Sequence, residues 1–258
     1  MAAPTGLWLD SRGRVELDLL ILAENADDFL VLHQKANADP ALQDDHDQFF
    51  DLADQAMAEA QRFLVNWLAA ATALADHTMR HVKKFAPTVL VEYQRKVQAL
   101  MLSTPAFHLM RVLRTEAQHR ALPLVGARAR WSRIRSTDEP NRVRFAWYLS
   151  KDWLLGLEAN WPDIVLEFLD RETWKEDERG AVNLLADEMG ENDVDLDWLV
   201  ETYTAHAREL TSWLLNAELE LHEADLAEMS AELERLDARA KAASSWQPTD
   251  DLDKEGQS

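Results

Sequence analysis

Apolar positions recur every three or four residues over most of the chain. This spacing places the apolar side chains on one face of an α-helix, and it predicts a helix over residues 24–36 and a long one over 43–85. Further helices are predicted over 87–100, 107–122, 150–157, 162–169 and 197–242. Seven Gly and eight Pro in 258 residues are too few for many short strands and turns, so we expect a mainly α fold of long antiparallel helices.

The start of the chain supports two predictions. Residues 6–22 begin with an apolar segment, continue through the polar run Ser11–Arg14 and return to a second apolar segment. A polar run between two apolar ones is typical of a short β-hairpin, and equally of a strand that leads into a helix. We therefore expect a short β element within 6–22.

Residues 127–149 have a different pattern. Apolar and charged side chains alternate on both sides of a turn-rich pentamer, residues 137–141. Alternation that flanks a turn predicts a β-hairpin, attached to the helical body after the helix 107–122. We expect this body to be a single domain over 1–243, and the polar residues 244–258 to be a disordered tail.

Charge is distributed unevenly along the chain. The formal net charge is −20, yet residues 80–151 carry 15 Lys and Arg against four Asp and Glu, whereas the remainder carries 12 against 43. Such a basic block either attracts phosphate groups or forms an internal ion-pair interface with the acidic C-terminal helix. Both interpretations stay open, for different faces of the block.

Several classes of protein are excluded by composition. The sequence contains no cysteine, which excludes a disulfide framework, a thiolate metal site and a cysteine nucleophile. No apolar run approaches the ~18 residues of a membrane-spanning helix, and no basic-then-apolar leader opens the sequence. A Gly-rich phosphate loop and a dinucleotide-binding fingerprint are also absent. We expect a soluble, cytoplasmic protein that uses no cofactor and does not bind a membrane.

Arg114 and His119 form an Arg-x4-His pair near the end of the helix 107–122, inside the basic block. Arginine stabilises a charged phosphate through bidentate contact, and histidine transfers protons near neutral pH. A spacing of five separates the side chains by about 140° and about 7.5 Å along the helix. They converge only if the last turn loosens or a second protomer completes the site. The structural alternative is that Arg114 pairs with an acidic helix while His119 bonds helix-end carbonyls.

Further arginines near this pair are candidates for RNA binding. They are Arg111, Arg120, Arg128 and Arg130. On the predicted hairpin, Trp131, Trp147 and Tyr148 alternate with arginines. Such interleaving either stacks single-stranded RNA or packs the hairpin on an acidic helix.

His77 and His81 lie at i and i+4 on one helix face, beside Asp76, as some metal ligands do. No third ligand follows at a companion spacing, so we predict no metal site. Asn66 lies three helical turns before His77 on the same face. The simplest explanation of that face is a buried polar pair between helices.

An Arg-x4-His pair late in a helix of an all-α bundle resembles the motif of the HEPN superfamily. Many members of that superfamily are metal-independent endoribonucleases, and others are inactive binding or dimerisation modules. The wider pattern over residues 45–215 is similar to a group of uncharacterised bacterial HEPN-like proteins. Its parts are Asn66-Trp67, Asp76 to Arg80, Leu113 to His119 with Leu122-Pro123, Leu149 to Asp152 with Leu154-Leu155, and Trp213.

The resemblance implies a HEPN-like bundle that dimerises with the two motifs facing each other. It also implies that the face of Asn66 and His77 lines the Arg–His site, with Thr115 in a supporting position. The superfamily usually has Asn or another polar residue directly after the Arg, whereas Thr115 and then Glu116 follow it here. A carboxylate at Glu116 either pairs with Arg114 or repels a phosphate.

Two functions follow from the resemblance, and they leave open whether the chain is an enzyme. The first is a metal-independent endoribonuclease in a toxin or phage-defence context, acting as a homodimer. In it His119 is the general base or acid, Arg114 stabilises the phosphate, and Arg111 and Arg120 position it. The second is a non-catalytic HEPN-like dimeric scaffold whose acidic C-terminal helix binds a protein partner.

Overall fold

The computed structural model describes residues 5–38, 46–119, 126–132, 142–157, 161–169 and 194–244. These ranges form seven helices and three strands. The helices are α1 (Thr5–Ala38), α2 (His46–Phe85), α3 (Leu90–Ser103), α4 (Pro105–His119), α5 (Lys151–Leu157), α6 (Asp163–Leu169) and α7 (Leu196–Ser244), and the strands are β1 (Gly126–Ser132), β2 (Arg142–Leu149) and β3 (Val194–Asp195). The predicted mainly α fold is confirmed.

Helices α1 and α2 pack against each other in antiparallel orientation. Ser11, near the start of α1, contacts His81 near the end of α2, whereas Leu32 and Leu52 line one cavity towards the other end of the pair. Buried side chains on α1 repeat every seven positions; they are Trp8, Val15, Leu22, Phe29 and Ala36. A seven-residue repeat keeps one seam of a helix against its neighbour, as in a coiled coil.

The predicted β element within residues 6–22 is wrong, because these residues lie inside α1. The polar run Ser11–Arg14 is one turn of that helix, with Ser11 bonded to α2 and Arg14 exposed. Most helical stability in proteins comes from packing of a buried face rather than from local preference. Here burial of Trp8 and Val15 against α2 decides the structure.

The hairpin predicted over 127–149 is present. Strands β1 and β2 are antiparallel, with Ala127 opposite Trp147, and the turn region 133–141 lies outside the described residues. A third strand that was not predicted, β3, pairs Val194 with Leu149 of β2. A strand of two residues carries no alternation, so the sequence contains no signal for it.

Tyr203 lies where α2, α4 and α7 meet. Its ring packs edge-on against Trp67 of α2, with 5.6 Å between ring centroids. It also lies tilted against the Phe107 ring of α4, with 4.8 Å between centroids. Trp67 also donates from Nε1 to Thr204 Oγ1 at 3.1 Å. Burial raises the pKa of Tyr203 to about 12. This aromatic core holds α4, and with it Arg114, next to α2.

The chain divides into two compact units, Met1–Leu214 and Leu215–Ser258. The boundary falls inside α7, where no Pro, Gly or polar linker marks it. The second unit is described as a continuous helix up to Ser244, and the predicted tail beyond it lies outside the described residues. None of the described helices is long and apolar enough to cross a membrane.

Candidate functional site

Arg114 lies near the end of α4, and its guanidinium faces α2. Nη2 donates to both carboxylate oxygens of Asp76, at 3.3 and 3.4 Å. The side chain of Arg114 is 34% exposed and that of Asp76 45%. These distances lie beyond the usual 2.7–3.2 Å for such bonds, and one guanidinium nitrogen is used. Asp76 therefore orients Arg114 without enclosing it.

His119 is the last residue of α4. Its side chain lies outside the described residues, as do Arg120 and the side chains of Arg128 and Arg130. The α-helix continues through His119, so its backbone keeps the angular and axial separation from Arg114 that a regular helix imposes. Loosening of the last turn was one of the two predicted ways to bring Arg114 and His119 together. The helix is still regular at His119.

The two residues that follow Arg114 differ in exposure. Thr115 is exposed, and its hydroxyl donates to the carbonyl oxygen of Arg111 at 3.0 Å, a bond within the helix. Glu116 is buried on α4. The carboxylate that contacts Arg114 is that of Asp76 on the neighbouring helix.

His77 follows Asp76 on α2 and faces α1. Its Nδ1 lies 2.5 Å from Oδ2 of Asp18, a buried residue of the α1 seam. A carboxylate bonded to one ring nitrogen fixes the imidazole and leaves the other nitrogen for proton exchange or ligand contact. Asn66 is exposed, and eleven helical residues place it about 16 Å from His77 along the axis. The structure thus joins His77 to Asp18 rather than to Asn66.

A cavity of about 350 Å³ opens beside His77, between the start of α1 and the end of α2. It is lined by Leu7, Asp10, Ser11, Arg14, His77, Arg80, Lys84 and Phe85. Ligand pockets occupy roughly 300–1,000 Å³, so this volume suits a small ligand. Sequence reasoning named His77 and Arg80 here but missed the α1 wall, because it predicted a β element there. The sequence did contain a signal for this wall: Ser11 and Asp18 are polar and lie seven positions apart, the same spacing as the buried residues of α1.

His81 lies one turn after His77 and is buried. Its Nδ1 is 2.9 Å from the hydroxyl oxygen of Ser11, and its ring lies 5.4 Å from that of Phe85. His77 and His81 therefore contact different residues of α1. In the part of the chain that the structure describes, no group of three His, Asp or Glu side chains is placed to hold a metal ion.

A second polar cluster lies at the start of α7. Asp195 caps this helix, because its Oδ1 accepts from the backbone N–H groups of Asp197 at 2.7 Å and Trp198 at 3.3 Å. Burial raises the pKa of Asp195, and the neighbouring Asp197 carboxylate raises it further. The backbone N–H donors and His33 lower it, and the resulting pKa is about 6. Burial and Asp197 also raise the pKa of Glu201.

His33 of α1 contacts this cluster through a hydrogen bond between its Nδ1 and Oδ2 of Asp197. The Trp147 ring lies 6.2 Å from the His33 ring, and Trp147 is buried. Of the aromatic residues considered for RNA stacking, Trp147 is thus packed into the protein, Tyr148 is half-buried, and the side chain of Trp131 lies outside the described residues.

The chain matches no described protein family, no curated protein and no solved structure. Evidence for a function therefore comes from two side-chain arrangements in the described part of the chain. One is Arg114 oriented by Asp76, and the other is His77 held by Asp18 beside a cavity with cationic walls.

Proposed function

We propose that the chain is a metal-independent endoribonuclease of the HEPN type that acts as a homodimer, with Arg114 and His119 as its catalytic residues. The supporting observation is the environment of Arg114, which is one-third exposed and bonded through Nη2. A guanidinium has five N–H donors, and among the described residues Asp76 is its one acceptor. Nε and Nη1 are left to bind two phosphate oxygens.

The reaction is an internal transfer. The 2′-oxygen of RNA attacks the adjacent phosphorus, a cyclic 2′,3′-phosphate forms, and the bond from phosphorus to the 5′-oxygen breaks. His119 takes the proton from the 2′-hydroxyl or delivers one to the leaving 5′-oxygen. Arg114 stabilises the additional negative charge on the phosphorane. Arg111, exposed on the same helix, and Arg120 position the strand.

The proposed homodimer accounts for the spacing of the two residues. Because α4 stays helical through His119, the backbone positions of the two residues lie about 140° apart around one protomer's helix. A second protomer whose motif faces the first brings an Arg and a His together across the interface. Each site then needs both chains.

The direct test is cleavage of labelled RNA by purified protein in the presence of EDTA. We expect cleavage to persist in EDTA and to fall about 10²-fold or more in His119→Ala and Arg114→Ala, as loss of a proton-transfer group or a charge stabiliser does. His222→Ala and Arg235→Ala, which alter exposed pairs on α7, are matched controls and should cleave normally. Cleavage that survives both test variants overturns the assignment.

Mixing the two inactive variants tests the shared site. If the Arg of one protomer acts with the His of the other, heterodimers of Arg114→Ala and His119→Ala contain one intact site and regain activity. A mixture that exchanges subunits, shown by size-exclusion chromatography of differently tagged chains, yet stays inactive contradicts a site built from both protomers.

A second candidate function is a non-catalytic dimeric binding module that uses its acidic C-terminal helix. The described part of the unit Leu215–Ser258 favours it, because it exposes the apolar side chains of Leu219, Leu221, Leu233 and Leu236, at 39–62% exposure. Leu219, Leu226 and Leu233 repeat every seven residues, a spacing typical of a coiled-coil seam. Under this function neither wild type nor His119→Ala cleaves RNA, and both remain dimeric in sedimentation experiments.

A further inference from the structure

We propose that the cavity between the start of α1 and the end of α2 binds a phosphate monoester of mononucleotide size. The cavity is lined by α1 and α2 residues alone and does not include Arg114. The proposal therefore does not depend on ribonuclease activity. Its basis is the combination of three converging cations, a histidine oriented by a buried carboxylate, and an apolar rim.

The cations are the first part of the argument. Arg14 approaches from α1, while Arg80 and Lys84 lie one turn apart on the same face of α2. Among the described residues neither arginine has an ion-pair partner, although the chain contains 47 Asp and Glu. Converging like charges repel each other, and a bound anion relieves that repulsion. Asp10 is the one carboxylate in the lining, so the walls carry net positive charge.

His77 is the second part. Because its Nδ1 is bonded to Oδ2 of Asp18 at 2.5 Å, Nε2 is the ring nitrogen left for the cavity that His77 lines. In neutral imidazole this nitrogen accepts a hydrogen bond, and in the charged form it donates one. It therefore matches both the P–OH and the P–O⁻ of a phosphate monoester, whose second pKa lies near 6.

The rim and the volume identify the class of ester. Leu7 and the Phe85 ring form an apolar side of the cavity, and Lys84 Nζ lies 4.9 Å from that ring. Proteins that hold single-stranded nucleic acids combine cationic grooves with aromatic side chains on which bases stack, and the same contacts suit one nucleotide. A volume of about 350 Å³ lies near the lower limit for ligand pockets, which favours one nucleotide over a longer strand.

The test is isothermal titration calorimetry of the intact protein with adenosine 5′-monophosphate, adenosine and inorganic phosphate. We expect the nucleotide to bind at least about tenfold more tightly than adenosine or inorganic phosphate, and binding to weaken as salt is raised. Arg14→Gln with Arg80→Gln, both exposed positions, should weaken nucleotide binding about tenfold or more, and so should His77→Ala. Arg95→Gln, on an exposed arginine of α3, is the matched control and should bind normally.

Three results would overturn the proposal. They are no nucleotide binding up to about 10 mM, equal binding of adenosine, and unchanged binding in the double arginine variant. Inorganic phosphate binding as tightly as the nucleotide would overturn the role of the apolar rim. RNA cleavage distinguishes this site from the proposed catalytic one, because His119→Ala should keep nucleotide binding while the double arginine variant should keep any cleavage.

Discussion

Helix α1 is attached to its neighbours by two histidine–aspartate pairs that have the same chemistry and different surroundings. In the first pair Asp18 of α1 holds His77 of α2, and in the second His33 of α1 holds Asp197 of α7. In each pair Nδ1 contacts Oδ2, and all four side chains are partly or largely buried. The pair alone therefore does not distinguish a ligand site from a structural contact.

The neighbouring charges make that distinction. His77 lines a cavity with three cations in its walls, so an anion can reach it and be stabilised there. His33 lies instead under the buried Trp147 and next to Asp195, whose carboxyl it affects electrostatically. A cluster of carboxylates repels anions, and we interpret His33 as the hydrogen-bond partner that holds the start of α7 against α1.

Removing the charge of Asp195 is expected to have the largest effect on stability. Because its pKa rises from 3.8 to about 6 on folding, between these values the folded state keeps a proton that the unfolded state has released. This contribution to stability is fully present below 3.8 and is lost as the pH rises through about 6. One pH unit corresponds to about 1.4 kcal/mol, so the loss reaches at most about 3 kcal/mol.

Asp195→Asn keeps an oxygen that can accept from Asp197 and Trp198 but cannot ionise. Urea unfolding at several pH values should show this variant gaining stability relative to wild type as the pH rises from about 4 to about 7. Asp225→Asn, at an exposed position of α7, should show no such gain. A difference between Asp195→Asn and wild type that is independent of pH would contradict the buried-charge interpretation.

His33→Ala should have the next largest effect, because it leaves Asp197 unpaired beside Asp195. Breaking a buried ion pair costs about 3–5 kcal/mol, and this pair is partly exposed, so we expect a loss of about 2 kcal/mol at neutral pH. Urea unfolding measures it, with His222→Ala as the control on a more exposed His–Asp contact. Equal losses in the two variants would show that the carboxylate cluster does not depend on His33.

His77→Ala should cost less than His33→Ala, about 1 kcal/mol. The His77 side chain is more exposed than that of His33, 28% against 19%, so water can replace its hydrogen bond to Asp18 after the substitution. The comparison is made by urea unfolding of both variants under one set of conditions. A loss at His77 that exceeds the loss at His33 would reverse the assignment of ligand site and structural contact.

The ion pair of Arg114 with Asp76 should contribute least. Its side chains are 34% and 45% exposed, and such pairs contribute about 0.2–1 kcal/mol. A double-mutant cycle with Arg114→Ala and Asp76→Ala measures the coupling free energy, and we expect about 0.5 kcal/mol. A coupling above about 2 kcal/mol would identify the pair as a structural contact and weaken the catalytic interpretation of Arg114.

Much of the candidate site could be predicted from local sequence patterns. Apolar spacing predicts the helices that carry Asp76, His77, Arg80 and Arg114. The structure brings Arg114 to Asp76. The contacts of His77 could not be predicted from the sequence. Asp18 lies on a segment for which the local pattern predicts a β element, and its helical state depends on a partner helix far along the chain.

The long helices and the hairpin over residues 127–149 could be predicted because their signal, a period of 3.6 or 2, lies within each segment. The absence of cysteine and the basic block likewise follow from composition alone. The helical start of α1, the strand β3 and the cationic cavity are decided by packing, since each needs contacts between residues distant in sequence. The seven-residue repeat of α1 indicates a packed helix but not the partner against which it packs, and so only the folded arrangement reveals which histidine faces cations and which faces carboxylates.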